Sequence, residues 1–227
     1  MYELIGCAVI TMVSMTTLFV RSAILFMVGA SFTLVLKMIQ IQRSVPVHIF
    51  PQEFQIALYN AWWILVTCGF ASALVGYLFP CLDEKLGVRH TFKREWSSVM
   101  KCITLFVGIG HATAKVDFDN NMQLTLTLAA MSIGLWWFFD RSKNGLALGI
   151  FVAILATFIT QILCNHEVFK YTEQDFMYVR SWLPCVFFSG GITVGNIGRQ
   201  LAIVNENFHN DINNKTNKTS FSVFIIS

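Results

Sequence analysis

The sequence predicts an all-α fold, a polytopic membrane bundle of six transmembrane helices. Composition is the first reason: of 227 residues, 55% are apolar and 13% charged, with a mean hydropathy of +0.60, too few charges to cover a water-soluble globule. The second is spacing. No formally charged residue lies between Glu53 and Asp83, Asp119 and Asp140, Lys143 and Glu167, or Arg180 and Arg199, and roughly 20 mainly apolar residues suffice for a helix to cross about 30 Å of hydrocarbon. The third is the placement of the cations that remain, which alternates from loop to loop as membrane topology requires.

In chain order, the expected spans are 20–41, 55–79, 96–114, 121–139, 145–165 and 181–203. The first holds Lys37 near its far end and the third holds Lys101 near its start; both lysines can reach the interface along their own methylene stems. Pro51 precedes the second helix and Pro80 is expected to close it, positions where a missing N–H costs little. Pro184 falls inside the sixth and is expected to kink it. Residues 1–19 form a variable N-terminal segment, and 204–227 a polar cytosolic tail.

The stretch Leu4 to Val20 is long enough to span but rich in Ser, Thr and Met, and Arg21 alone separates it from the first helix. It reads either as an interfacial or poorly ordered segment or as a seventh span. Glu3 stands where a cleaved signal peptide would carry its basic residues. With six spans, Lys85, Arg89, Lys93 and Arg94 fall on the same side as Arg141 and Lys143, whereas Arg43, Lys115, Lys170 and Arg180 opposite are diluted by acids. The bias predicts cytosolic N- and C-termini; a seventh span would move the N-terminus across.

Several function classes lose support at once. A formal net charge of +3 gives no electrostatic argument for nucleic acid. The six cysteines form no C-x-x-C pair and lie mostly in apolar stretches, as small packing residues rather than a disulfide or metal framework. No H-E-x-x-H or other histidine cluster appears, and His111 reads as a packed helix residue. Asp117 and Asp119 lie roughly 30 Å along the chain axis from Asp140 at 1.5 Å per helical residue, so no carboxylate dyad is expected. Ser189 has no evident base partner. A transporter or channel would need charges lining a midplane path, and no internal repeat marks one.

Small residues recur at four-residue spacing: Ser72 and Gly76, Gly145 and Gly149, Gly191 and Gly195 with Gly198 beyond. This spacing lets helices approach closely in lipid and is expected to serve packing within the bundle. Two glycosylation-type triplets, Asn214 to Thr216 and Asn217 to Thr219, are chance matches on a cytosolic tail.

The exit of the fourth helix is the chemically distinctive segment. Trp136, Trp137, Phe138 and Phe139 run directly into Asp140, then Arg141 and Lys143. Such a run can be an ordinary aromatic and charged membrane boundary. An acid is nevertheless poorly placed at a helix C-terminus, where the dipole is negative, so Asp140 is a candidate for contact with a partner. Gln123 and Thr127 share one face of the same helix at i and i+4; they can pack between helices or receive a lipid hydroxyl.

At these residues the sequence resembles the Insig (insulin-induced gene) family. The resemblance is carried by IQIQR (Ile39 to Arg43), AWW (Ala61 to Trp63), FKREWSSVM (Phe92 to Met100), HATAKVDFDNN (His111 to Asn121), LTLAAMSIGLWWFFDRS (Leu126 to Ser142) and YVRSWLPCVFFSGGITVGNIGRQLA (Tyr178 to Ala202). It implies six spans with cytosolic termini in the endoplasmic reticulum membrane, and no catalysis. It also implies binding of an oxysterol such as 25-hydroxycholesterol and retention there of Scap, through its sterol-sensing domain, with the sterol regulatory element-binding protein precursor it escorts. HMG-CoA reductase and membrane-bound ubiquitin ligases are the further implied partners.

By the same resemblance, Asp140 matches the aspartate required for holding the partner, and Phe106, Gln123, Thr127 and Trp136 match positions lining or supporting the sterol pocket. Aromatic rings offer a sterol flat apolar contact, and Gln123 can bond its hydroxyl. The segment before Val20 is apolar where the family has a polar tail, and the tail after Ala202 is diverged and lacks cysteine, so the family's tail modifications do not carry over. The alternative to a sterol adaptor is a sensor of a non-sterol membrane lipid such as a diacylglycerol.

Overall fold

Where lipid surrounds a chain, every backbone N–H and C=O must be satisfied internally, which leaves helices or closed barrels. The computed structural model describes residues 2–44, 52, 55–56, 59, 62–85, 95–115, 121–165 and 183–226, and every described secondary-structure element is helical. The helices are α1 (Tyr2–Ser44), α2 (Trp62–Lys85), α3 (Trp96–Lys115), α4 (Asn121–Phe139), α5 (Lys143–Asn165) and α6 (Leu183–Ile226). Four of them contain stretches long and apolar enough to cross a membrane: Thr16–Ile39, Trp62–Lys85, Met122–Phe139 and Lys143–Leu163. The protein is therefore a helical, multi-pass membrane protein.

α6 is the axle of the bundle. It packs against each of the other five helices, and every residue from Gly191 to Gln200 is buried. One core cluster gathers Phe79 of α2, Cys102, Phe106 and Ile109 of α3, Leu128 and Leu135 of α4, Ala153 of α5, and Val186, Phe188 and Ile192 of α6. A smaller one joins Leu25, Val99, Val194 and Ile197. The outer faces carry large apolar side chains, among them Phe70, Leu74, Leu126, Phe138, Phe151, Ile154 and Phe158, as expected where lipid is the solvent.

The small residues serve packing inside the bundle, as their spacing predicted. A Cβ on Gly198 would run into the carbonyl of Gly76, one on Gly195 would meet the Phe79 ring at 2.5 Å, and one on Gly149 would meet Ile192 and Phe188 at 2.9 Å. Ser72 donates from Oγ to the Leu25 carbonyl of α1 at 2.8 Å. Backbones thus touch where lipid offers no hydrophobic drive to association.

Pro80 and Pro184 behave differently from expectation, and Pro51 lies outside the described residues. Pro80 does not close α2, which continues to Lys85. A proline in mid-helix frees the carbonyl four residues back, here that of Gly76. Arg21 Nη2 of α1 donates to that oxygen at 3.0 Å and to the Gly198 carbonyl of α6 at 3.2 Å, so one guanidinium replaces the missing donor and ties three helices together. Pro184 does not kink the sixth helix, because α6 begins at Leu183 and the proline sits in the first turn, where its N–H would have no partner anyway.

The helix ends also differ. α1 is one helix from Tyr2 instead of beginning near Val20, and α6 runs on to Ile226; no proline interrupts either stretch. Arg43, Arg89, Lys93, Arg94, Asp117, Asp119, Lys170 and Arg180 have side chains outside the described residues.

Candidate functional site

The junction between α4 and α5 is built by a tight reversal. At the end of α4 the N–H groups of Asp140 and Arg141 both donate to the Trp136 carbonyl, at 2.9 and 2.8 Å. Arg141 takes a left-handed conformation at φ 50°, unusual for a side chain other than glycine and a form of local strain. The turn delivers Ser142 as the cap of α5: its Oγ accepts from the Gly145 N–H at 2.9 Å and its carbonyl from the Leu146 N–H at 3.1 Å. The Trp136 indole Nε1 donates to the same carbonyl at 3.0 Å, fastening the turn from the α4 side.

This geometry removes the difficulty of an acid at the end of α4. The Asp140 carboxylate is turned toward the start of α5, where the helix dipole is positive, and it lies so close to Gly145 that a Cβ there would overlap it. Ser142 Oγ donates to Asp140 Oδ1 at 2.9 Å. Glycine at 145 is thus a requirement of the carboxylate's position.

Opposite Asp140 stands Arg199 of α6. Its Nη1 donates to Asp140 Oδ1 at 2.5 Å. Nε and Nη2 donate to the two oxygens of Asp83, on α2, at 2.5 and 3.1 Å, and Nη2 reaches Ser142 Oγ at 3.4 Å. The guanidinium also lies over the Phe79 ring, 4.8 Å from its centroid. Side-chain exposure is 4% for Arg199, 8% for Asp83 and 0% for Asp140, so this is a buried ion triad joining α2, α6 and the α4–α5 turn. Removing one member of such a group strands charge away from water, at a typical cost of about 3–5 kcal/mol.

Two carboxylates do share a site, though not the pair weighed from the sequence: Asp83 and Asp140 meet on one guanidinium, and Asp117 and Asp119 lie outside the described residues. Sequence reasoning treated Asp83 and Arg199 as the borders of charge-free stretches and missed their pairing. A signal was present, because Asp83, Asp140 and Arg199 each close a charge-free stretch near the same end of the second, fourth and sixth expected spans. Asp140 faces inward, and what the junction exposes is Phe138, Trp137, Arg141 and Lys143, with the Arg141 guanidinium 5.0 Å from the Trp137 ring centroid.

The other predicted site residues divide into two groups. Phe106 is buried, its ring 5.1 Å from that of Phe32 on α1, and Trp136 packs at the edge of the same core cluster. Gln123 and Thr127 are exposed on the outer face of α4, with Thr127 Oγ1 donating to the Gln123 carbonyl at 2.8 Å. Gln123 and Thr127 thus lie together on the outer face of α4, whereas Phe106 and Trp136 belong to the interior cluster. Phe32 also lines an open apolar groove of about 490 Å³ between α1 and α3, bounded by Phe19, Ile24, Met27, Val28 and Ile103 among others. Its volume lies within the range of small-molecule sites; neither Gln123, Thr127 nor Trp136 lines it. Among the described residues, no three His, Cys, Asp or Glu side chains are grouped to hold a metal.

Fold and site define a class: a multi-pass helical membrane protein with an ion triad buried inside the bundle. The sequence model of the insulin-induced protein (INSIG) family matches residues 20–202, and the chain belongs to that family. It is 60% identical over 193 residues to the insulin-induced gene 1 protein of Gallus gallus, covering 84% of this chain and 76% of that one. The Homo sapiens protein of the same name is also 60% identical, over 84% of this chain and 69% of its own length, and the Danio rerio protein is 59% identical, over 84% and 76%. Among solved structures, a cross-linked trimer of MvINS aligns with a TM-score of 0.64 over 80% of this chain and 94% of that chain, at 18% identity, a likeness of fold.

Proposed function

We propose that this chain is a sterol-dependent adaptor of the endoplasmic reticulum membrane. It crosses the bilayer six times with both termini cytosolic, binds an oxysterol, and then holds the sterol-sensing domain of Scap, so that the sterol regulatory element-binding protein precursor is retained. In the same state it recruits ubiquitin ligases to HMG-CoA reductase, and it carries out no catalysis itself. The observation that carries this reading is membership of the INSIG family across residues 20–202, a range that includes the whole α4–α5 junction.

The sites follow. Gln123 and Thr127 present hydrogen-bonding groups to the membrane on the outer face of α4, where a sterol hydroxyl arriving from lipid can be met. Phe106 of α3 lies in the core behind that helix, and Trp136 of α4 packs against the same cluster. Sterol and partner then bind cooperatively, each raising the other's affinity by the same factor.

Co-precipitation from membranes with a Scap-type sterol-sensing domain, with and without 25-hydroxycholesterol, tests the proposal. Association that rises with sterol and falls on Asp140→Ala is expected. Association indifferent to both, or sterol-probe crosslinking displaced by a diacylglycerol, would overturn it.

A further inference from the structure

A residue that holds a partner ordinarily touches it, yet the Asp140 side chain is 0% exposed and bonded to Arg199. A fully enclosed carboxylate has no oxygen to offer another protein. What depends on it is the shape of the α4–α5 turn: Ser142 Oγ and Gly145 adjoin the carboxylate, and Trp136 is bonded in turn to the Ser142 carbonyl. Arg199 in turn is held by Asp83 through two hydrogen bonds from a different helix. Neither Asp83 nor Arg199 is exposed enough to meet a partner directly.

We propose that Asp83 and Arg199 are positioning residues that act with Asp140 as one buried unit, holding the turn so that the exposed Trp137–Arg141 end of α4 meets the partner. This deepens the adaptor reading and rests on it for the partner's identity. The unit spans three parts of the chain, so its failure at any one member has the same consequence. Arg141 supports the assignment: its left-handed backbone is a strained conformation that persists only where the surroundings over-determine it, and its stacked guanidinium is the outward end of the same turn.

The identity of the charges matters less than their complementarity. Exchanging them in Asp140→Arg with Arg199→Asp keeps one guanidinium and two carboxylates in the unit, with Asp83 unchanged. If Asp140 touched the partner itself, the exchange would leave holding abolished. If it acts through Arg199, the exchange restores holding lost in the single Asp140→Arg chain.

The experiment uses the full chain in nanodiscs, with two readouts: capture of the Scap-type sterol-sensing domain in the presence of 25-hydroxycholesterol, and the fluorotryptophan NMR resonance of Trp136. Asp83→Asn, Arg199→Lys and Asp140→Asn are each expected to shift the Trp136 resonance and weaken capture by about tenfold or more, as members of one coupled network do. The double exchange should recover capture over the single. A folded double exchange that captures nothing overturns the proposal, and so does an Asp83→Asn chain with full capture and an unmoved Trp136 signal. Should the exchange not assemble, Asp83→Asn decides alone. If the unaltered chain captures no partner, the adaptor reading fails, and the Trp136 resonance still shows whether the three residues act as one unit.

Discussion

α5 and α6 lie against one another and are solvated in opposite ways. α5 exposes Ile150, Phe151, Ile154, Leu155, Phe158, Ile159 and Ile162; its side chains are apolar because lipid is their neighbour. α6 between Gly191 and Gln200 is enclosed by protein on every side, and there it carries Thr193, Asn196, Arg199 and Gln200. A helix surrounded by protein can hold polar groups because the bundle supplies their partners, as with Thr193 Oγ1 to the Ser189 carbonyl at 2.8 Å and Arg199 to two carboxylates. The apolar helix faces lipid, while the enclosed one carries polar groups among the apolar side chains of the core.

This contrast can be broken most severely at Arg199. Arg199→Met leaves two carboxylates buried without their cation, and about 3–5 kcal/mol of stability should be lost; thermal unfolding in nanodiscs would read this as a large drop in midpoint or as failure to accumulate. Next comes the closest helix crossing. Gly198→Ala places a methyl against the Gly76 carbonyl carbon and Cα at 2.7 Å, backbone atoms that cannot turn aside, so α2 and α6 must separate at a cost of about 1–3 kcal/mol. Disulfide trapping of a cysteine pair introduced across that crossing should slow accordingly.

Trp136→Phe keeps most of the ring contact and deletes the indole bond to Ser142. A loss of about 0.5–1.5 kcal/mol is expected, with unfolding still cooperative in the same assay. On the lipid side the effects should nearly vanish. Ile154→Val on α5 and Thr127→Val on α4, both outward-facing, should each change stability by no more than about 0.5 kcal/mol, while Thr127→Val should reduce crosslinking of a sterol photoprobe if the adaptor reading holds.

The same contrast explains what the sequence revealed. The lipid-facing helices announced themselves by long charge-free runs; α4 and α5 lie close to where those runs placed them, whereas α2 starts at Trp62 and ends at Lys85, both later than the expected 55–79. α6 was found through the gap between Arg180 and Arg199, yet its composition does not meet the test for a membrane span that α5 passes, because groups satisfied by protein look the same in sequence as groups that need water. Asp140 stood out through its helix end, whereas its partners Asp83 and Arg199 looked like borders. Pairing is a three-dimensional fact, and their common depth was the one hint. Pro80 misled for a similar reason, since nothing local to α2 says that Arg21, 55 positions away in the chain, supplies the donor that proline lacks.

The central claim is that Asp83, Asp140 and Arg199, which meet at the α4–α5 junction, form one coupled unit inside the protein. Comparing unfolding of Arg199→Met with that of the neutral triple variant Asp83→Asn, Arg199→Met, Asp140→Asn tests it most directly. The single variant should be lower by about 3–5 kcal/mol, and the triple should recover most of the loss, because no charge is then left stranded. A single variant as stable as the unaltered chain would contradict the account.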